Sequence, residues 1–260
     1  MDVFWEAPPV SRTITALALV ESLLYYSETL SFYNVVFLRG KLFKALPEVW
    51  RLVTPFLLTG WSFDFLFDLY FMYHYGSSLE IGSPRFSQPG DFFVYLIFVA
   101  CTILVSAGLW LQSFIFTQAL ILAFAHTYAQ DNRGKKVKFF VLQIPVLWLP
   151  WAILTMTLVR SGWGPVKTQF TGIIASHLYD FLTRIYPTFG GGKNYIFTPA
   201  WVRRYIFRHT PDAARRAYGR AYRPSRPADP QPEPDSGTRG WTSSQDLGSW
   251  GTRGSGRRLG

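Results

Sequence analysis

Four carboxylates lie within apolar stretches of this sequence, a setting in which an ionisable side chain is costly and marks a functional or paired position. Glu21 and Glu28 are seven residues apart, which puts both on one stripe of a helix two turns apart. Asp64 and Asp68 stand at i and i+4, again on one face, among Phe63, Phe65, Phe67 and Tyr70. Groups so placed either line a hydrophilic groove open to water or pair with Lys, Arg or backbone inside a helix bundle, and the spacing leaves both readings open. Trp50 and Arg51 form a second constellation: the indole suits a headgroup boundary, and the guanidinium offers a planar fork of donors for carbonyls or lipid phosphates. Gly172 and Ser176 form a third, because small residues four apart let two helices approach closely. His177, next to them, is a catalytic base only where a nucleophile is positioned for it; without one it is a hydrogen-bonded core histidine.

The elements that hold these residues follow from composition. The chain has 260 residues, 49% hydrophobic and 18% aromatic, which is greasier than an average soluble domain and points to a membrane protein. Between Asp91 and Asp131 lie 39 residues without Asp, Glu, Lys or Arg. One helix of that length would be nearly twice the roughly 30 Å bilayer core, so the stretch reads as two spans, 92–110 and 113–128, with the turn near 108–113. Residues 139–159 form a third candidate, bent by Pro145 and Pro150. Three more polar segments, 13–33, 52–73 and 165–182, complete a set of six and suit helices facing a polar interior. The fold class expected is therefore an all-α membrane protein, a bundle of six transmembrane helices.

Charge is uneven. Residues 1–183 carry 12 Lys/Arg against 11 Asp/Glu, and residues 184–260 carry 14 against 5. A basic tail directly after apolar spans reads as anchoring beside an anionic leaflet, not as a nucleic-acid surface. Six spans put both termini on one side, and Arg184, Lys193 and Arg203 tip an otherwise even Lys/Arg balance toward cytosolic termini. The expected organisation is a short N-terminus at 1–12, a membrane domain at 13–183 with an interfacial, partly inserted loop at 34–51, and a basic tail at 184–260, disordered from about residue 223. With Asp2 and Glu6 and no basic residue before Arg12, the N-terminus does not read as a cleavable signal. The one cysteine, Cys101, sits in an apolar run and excludes an intramolecular disulfide. No cofactor or metal is expected, and with no Gly-x-x-x-x-Gly-Lys loop any ATP-driven force must come from a partner.

The Trp50-Arg51 pair before the second span, the run Gly172, Ser176, His177 with Tyr186-Pro187 after it, and the segment Gly191, Gly192, Thr198, Pro199 together resemble the Derlins, over about residues 5–200. Ser176 stands where the family pattern has a second glycine. The resemblance implies a rhomboid-like pseudoprotease of the endoplasmic reticulum membrane, with both termini cytosolic. Such proteins serve protein quality control and the unfolded protein response, assisting passage of misfolded luminal or membrane proteins to the cytosol by binding them and thinning the bilayer locally. The implied partners are misfolded substrates, the lipid bilayer, a membrane RING ubiquitin ligase complex, a homo-oligomer and a AAA+ unfoldase, valosin-containing protein. The C-terminus, with Trp250, Gly254, Gly256 and Leu259, is similar to the short unfoldase-binding box of the family, though Trp250 precedes Gly254 by four residues instead of one or two. Active rhomboid proteases need Ser in a Gly-x-Ser-Gly setting on the fourth span; here that segment begins at Ser113 and ends near His126, which is expected to cap it. An active intramembrane protease and an ion or small-molecule transporter using the four carboxylates are the rival readings. An inverted repeat between halves would favour the transporter, and none is visible.

Overall fold

The computed structural model describes residues 7–42, 48–86, 88, 90–139, 142–189, 196, 198, 199 and 202. The expected tail box at Trp250, Gly254, Gly256 and Leu259 and the disorder expected beyond residue 223 lie outside them. Helix α1 (Pro9–Tyr26) is followed by two single-turn helices, α2 (Phe32–Val35) and α3 (Arg39–Leu42), and by two 3-10 turns (Val49–Leu52 and Thr54–Phe56). Then come α4 (Phe63–Gly82), α5 (Asp91–Ile103) extended by a π turn (Leu104–Trp110), and α6 (Thr117–Asp131). A short antiparallel hairpin, β1 (Lys136–Phe139) and β2 (Leu142–Pro145), pairs Lys136 with Pro145. After it run α7 (Leu149–Ser161), α8 (Trp163–Asp180), a second π turn (Phe181–Ile185) and α9 (Tyr186–Phe189).

Side-chain locks fix which helix ends lie together. At one end, here the near end, the Glu80 carboxylate accepts from the backbone N–H of Val10 (3.0 Å) and Ser11 (2.7 Å) and from the Ser11 hydroxyl (2.7 Å). Pro8 supplies no side-chain cap, so the orphan N–H groups of α1 are satisfied by a carboxylate some seventy residues away. Arg85, just past α4, pairs with Asp131 at the end of α6 and with Asp180 at the end of α8. At the far end the Tyr26 hydroxyl donates to the Thr59 carbonyl (2.7 Å), Asp64 pairs with Arg160, and Ser113 and Thr168 share a hydrogen bond. The long helices α1, α4, α5, α6, α7 and α8 therefore alternate in direction between the two ends.

Helix α6 is central, packed against α4, α5, α7 and α8. Ala119, Leu120, Ile121, Leu122, Ala123, Phe124 and Ala125 are all buried, and Phe86, Phe92, Tyr95, Phe124 and Tyr179 form an aromatic cluster beside it. Among the described helices α5 with its π turn, Asp91–Trp110, is long and apolar enough to cross a bilayer alone, with mean hydropathy 2.5; Val146–Ser161 is apolar but shorter.

Three of the expected segments differ. The stretch 52–73 is not one helix: Pro55 and Gly60 break it, and α4 begins only at Phe63. The freed backbone is held by neighbouring hydroxyls. Ser22 reaches the Leu57 carbonyl, Thr117 reaches those of Pro55 and Leu58, and Tyr26 holds Thr59. Irregular backbone inside a bundle is tolerated when its polar groups find partners in this way. The stretch 139–159 starts as the β-hairpin, and the helix begins at Leu149 with Pro150 in its first turn, so the prolines end and start elements instead of bending one helix. The first segment also stops early, at Tyr26, with Glu28 in the turn after it at φ 60°.

Candidate functional site

Near the far end a cavity of about 520 Å³ opens between α4, α6, α8 and the segment before α4, with Asp68, Gln118, Thr168 and Gln169 among its polar lining and Leu58 and Phe114 among its apolar lining. Asp68 is 7% exposed, and its Oδ2 accepts the Gly60 N–H at 3.0 Å. That contact needs a glycine nearby: a Cβ on Gly60 would come within 2.5 Å of the Asp64 Cβ. Gln169 is 2% exposed, and its Oε1 has no hydrogen-bond partner among the described residues. A buried acceptor left unsatisfied is expensive, so this amide is a costly feature of the groove wall. The groove is thus amphipathic: Lys167, Gln112, Gln118 and Thr168 bring donors and Asp68 an acceptor, among apolar groups that include Phe32, Leu58, Phe114 and Ile115.

Of the four carboxylates singled out from spacing, the structure brings only Asp68 to this cavity. Asp64, one turn earlier on α4, faces Arg160 in a partly exposed ion pair. Glu21 is buried on α1, where its Oε1 has no partner among the described residues. Glu28 is exposed. Gln118 and Gln169 were missed because attention went to formal charge; uncharged amides inside otherwise apolar segments were the available signal.

Trp50 and Arg51 diverge. Trp50 is 55% exposed at the far end, but Arg51 is 1% exposed and belongs to the packed structure. Its Nη1 donates to the carbonyls of Tyr33 (2.6 Å) and Val36 (2.8 Å), and its Nε pairs with Glu48. The Arg51 hydrogen bond holds the Glu48 carboxyl below its usual range. One guanidinium thereby ties the loop after α1 to the segment before α4, and Thr54 adds a hydrogen bond to the Val35 carbonyl (2.7 Å). Phe37, beside this clamp, packs on Phe116 and against Gly108, whose absent side chain makes the room. Neither Glu48 nor Phe37 stood out in the sequence, since their partners are distant along the chain.

Gly172 lies on α8 where it faces α6. A Cβ there would lie 2.0 Å from the Ala119 carbonyl oxygen and 3.2 Å from the Ala123 nitrogen, so α8 and α6 touch backbone to backbone. One turn on, Ser176 is 2% exposed and its Oγ lies 2.8 Å from Nδ1 of His126, a contact that the expected capping role of His126 did not include. The His177 ring lies 4.5 Å from that of His126, centroid to centroid.

A serine hydroxyl against an imidazole is the minimum of a nucleophile and base, and the direction of its hydrogen bonds decides what it can do. Arg133 donates from Nε to Gln130 Oε1 at 3.0 Å, which turns the Gln130 amide N–H₂ toward His126 Nε2 at 3.3 Å. In the neutral ring Nε2 is then the acceptor and Nδ1–H the donor, toward Ser176 Oγ. The serine proton goes to the Ile173 carbonyl at 2.9 Å. In that tautomer Nδ1–H donates its hydrogen bond to the serine hydroxyl, so Nδ1 is not the acceptor that a general base requires.

Comparison with known proteins supplies the family. The sequence profile of the Der1-like family matches residues 7–200. Derlin-1.2 of Zea mays is 26% identical over 210 residues, covering 80% of this chain and 84% of the maize protein. Derlin-1 of Homo sapiens is 31% identical over 164 residues, 61% of this chain and 64% of the human protein, and Derlin-1 of Arabidopsis thaliana is 31% identical over 167 residues, 62% and 60%. The matched stretch thus spans under two thirds of the human and Arabidopsis relatives. Because the family profile covers most of the chain, including the groove, the Arg51 clamp and the α6–α8 contact, this protein belongs to the Der1-like family.

Proposed function

We propose that this protein is a non-catalytic Derlin-type component of endoplasmic-reticulum-associated degradation, a six-span membrane bundle that receives misfolded luminal or membrane polypeptides in its far-end groove and eases their passage to the cytosol. The observation that carries the reading is the groove itself: the Asp68 carboxylate and the amides of Gln118 and Gln169 beside apolar walls, inside a bundle of alternating helices. A membrane setting is supported by the outward surface. Leu17, Val20 and Leu24 on α1, Ile97 and Val105 on α5 and Val159 on α7 are exposed aliphatics. Trp50, Trp61, Trp110 and Trp163 are exposed at the far end, and Trp148 near the start of α7, the belt arrangement of aromatics at two interfaces. Helix α1 has 18 residues and spans only about 27 Å, which favours a thinned bilayer and so a lower barrier for polar segments.

In this reading the near end and both termini face the cytosol. Directional force comes from a AAA+ unfoldase of the valosin-containing type recruited through the C-terminal residues, with a membrane RING ligase supplying ubiquitin. The test is a chase of degradation clients in cells whose only copy carries Asp68→Leu with Gln169→Leu. Slowed client loss at unchanged protein level is expected, and normal half-lives refute the groove's role. An active serine hydrolase is the second reading, favoured by the 2.8 Å Ser176–His126 contact. It requires a fluorophosphonate probe to label the protein and the label to vanish in Ser176→Ala; no labelling is expected.

A further inference from the structure

At the near end a second cavity, of about 420 Å³, lies between the ends of α6 and α8, lined by three arginines, Arg85, Arg133 and Arg184, and by one carboxylate, Asp180, which pairs with Arg85. Arg85 is committed, its fork taken by Asp131 and Asp180. The other two are not neutralised by any carboxylate among the described residues. Arg133 meets only the neutral amide oxygen of Gln130 at 3.0 Å, and Arg184 is exposed on the π turn Phe181–Ile185. A π turn shifts the helical phase of the residues after it, and such turns gather at functional sites. From this geometry we infer that the cavity is a phosphate site for the headgroup of an anionic lipid in the near-end leaflet.

Three properties point to phosphate. Guanidinium is the side chain that matches phosphate in geometry and hydration, and it stays charged at any working pH. The two uncommitted arginines approach from different elements, the end of α6 and the π turn, which suits a tetrahedral group with oxygens on several sides better than a planar carboxylate. The cavity also has an apolar lip: Ile185 is 46% and Phe189 85% exposed, and both line it. That lip gives acyl chains a place to lie while the headgroup sits between the arginines. Lys135 and Lys136, exposed nearby at the hairpin, add long-range attraction without lining the cavity. The phosphate chemistry stands on the cavity alone; that a membrane lipid delivers it rests on the membrane setting proposed for the bundle.

The experiment uses the full chain purified in detergent, titrated separately with short-chain phosphatidic acid, phosphatidylcholine and inorganic phosphate, with binding followed by native mass spectrometry. Phosphatidic acid is expected to bind and phosphatidylcholine to bind weakly, and Arg133→Gln with Arg184→Gln should lower phosphatidic acid affinity about tenfold, the effect of losing charge-assisted hydrogen bonds. Lys135→Gln with Lys136→Gln should change it less than about twofold, as expected for exposed charges. Displacement of the lipid by inorganic phosphate, with the same dependence on the two arginines, upholds the site for phosphate from either source. Lipid binding that resists inorganic phosphate yet falls in the arginine variant assigns it to membrane lipid. Binding that survives loss of both arginines, or falls equally in the lysine variant, overturns the site. Should the arginine variant fail to elute as a monodisperse species, absence of any preference for phosphatidic acid over phosphatidylcholine in the unmodified protein overturns it too.

Discussion

The contact between α6 and α8 has two halves that behave oppositely. Toward the near end, Gly172 sets its backbone on Ala119 and Ala123, and Ser176 closes on His126. Toward the far end, Gln118 on α6 and Thr168 and Gln169 on α8 stand around a cavity of about 520 Å³. One pair of helices is thus zipped by small residues over one stretch and held apart by amides over the next. The difference teaches how a bundle keeps an opening without losing its fold: stability is concentrated where side chains are smallest, and the groove is made where polar groups are left waiting for a partner.

The comparison breaks most severely at Gly172. Gly172→Leu should destabilise the bundle by about 3 kcal/mol or more, because the added carbon meets backbone and not a movable side chain. Steady-state level and the temperature of aggregation in detergent report it; a variant that accumulates and withstands heating like the unmodified protein contradicts the close contact.

The Trp50-Arg51 pair should split. Arg51→Ala strands the Tyr33 and Val36 carbonyls and Glu48 and should cost about 3 kcal/mol. Trp50→Ala, on an exposed residue, should cost less than about 1 kcal/mol yet slow client degradation if the rim matters. Equal thermal stability of the two single variants would show that Arg51 is not a clamp.

On the open half, Gln169→Leu should leave stability unchanged or slightly raised, since it removes a buried acceptor that has no partner among the described residues, while client half-lives lengthen. A marked fall in stability would mean that Gln169 is satisfied in the protein.

The smallest effect is a pH dependence at the far-end clamp. Arg51 lowers the Glu48 pKa, so the folded state favours the carboxylate. That contribution is fully present above the ordinary carboxylate range, near 4.5, and is lost as pH falls through the depressed folded value. Glu48→Gln should flatten this acid limb of the thermal stability profile, and an unchanged limb would assign it to another group.

Much of this architecture was readable from residue types. The uncharged stretch between Asp91 and Asp131 announced α5 and α6 because two apolar helices leave no other trace so plain. Gly172 announced a close helix contact for the same local reason: only a missing side chain permits it. The break of 52–73 at Pro55 and Gly60 was visible in the residues, but hydropathy outweighed it, and only the hydroxyls of Ser22, Tyr26 and Thr117 show how an unwound segment can stay buried there.

What the sequence determined by itself was the membrane-like composition, the alternation of apolar segments and the resemblance of its motifs to one family, all properties of neighbours along the chain. Partnership across the fold was decided by tertiary structure. Glu80 caps α1 across some seventy residues, Arg85 joins Asp131 to Asp180, Arg51 turns inward while Trp50 turns out, and Asp68 reaches the groove while Asp64 takes Arg160. A charge announces in the sequence only that burying it is costly. Which partner offsets that cost depends on which helix ends the packing of α6 brings together, and that information is carried by the whole core at once.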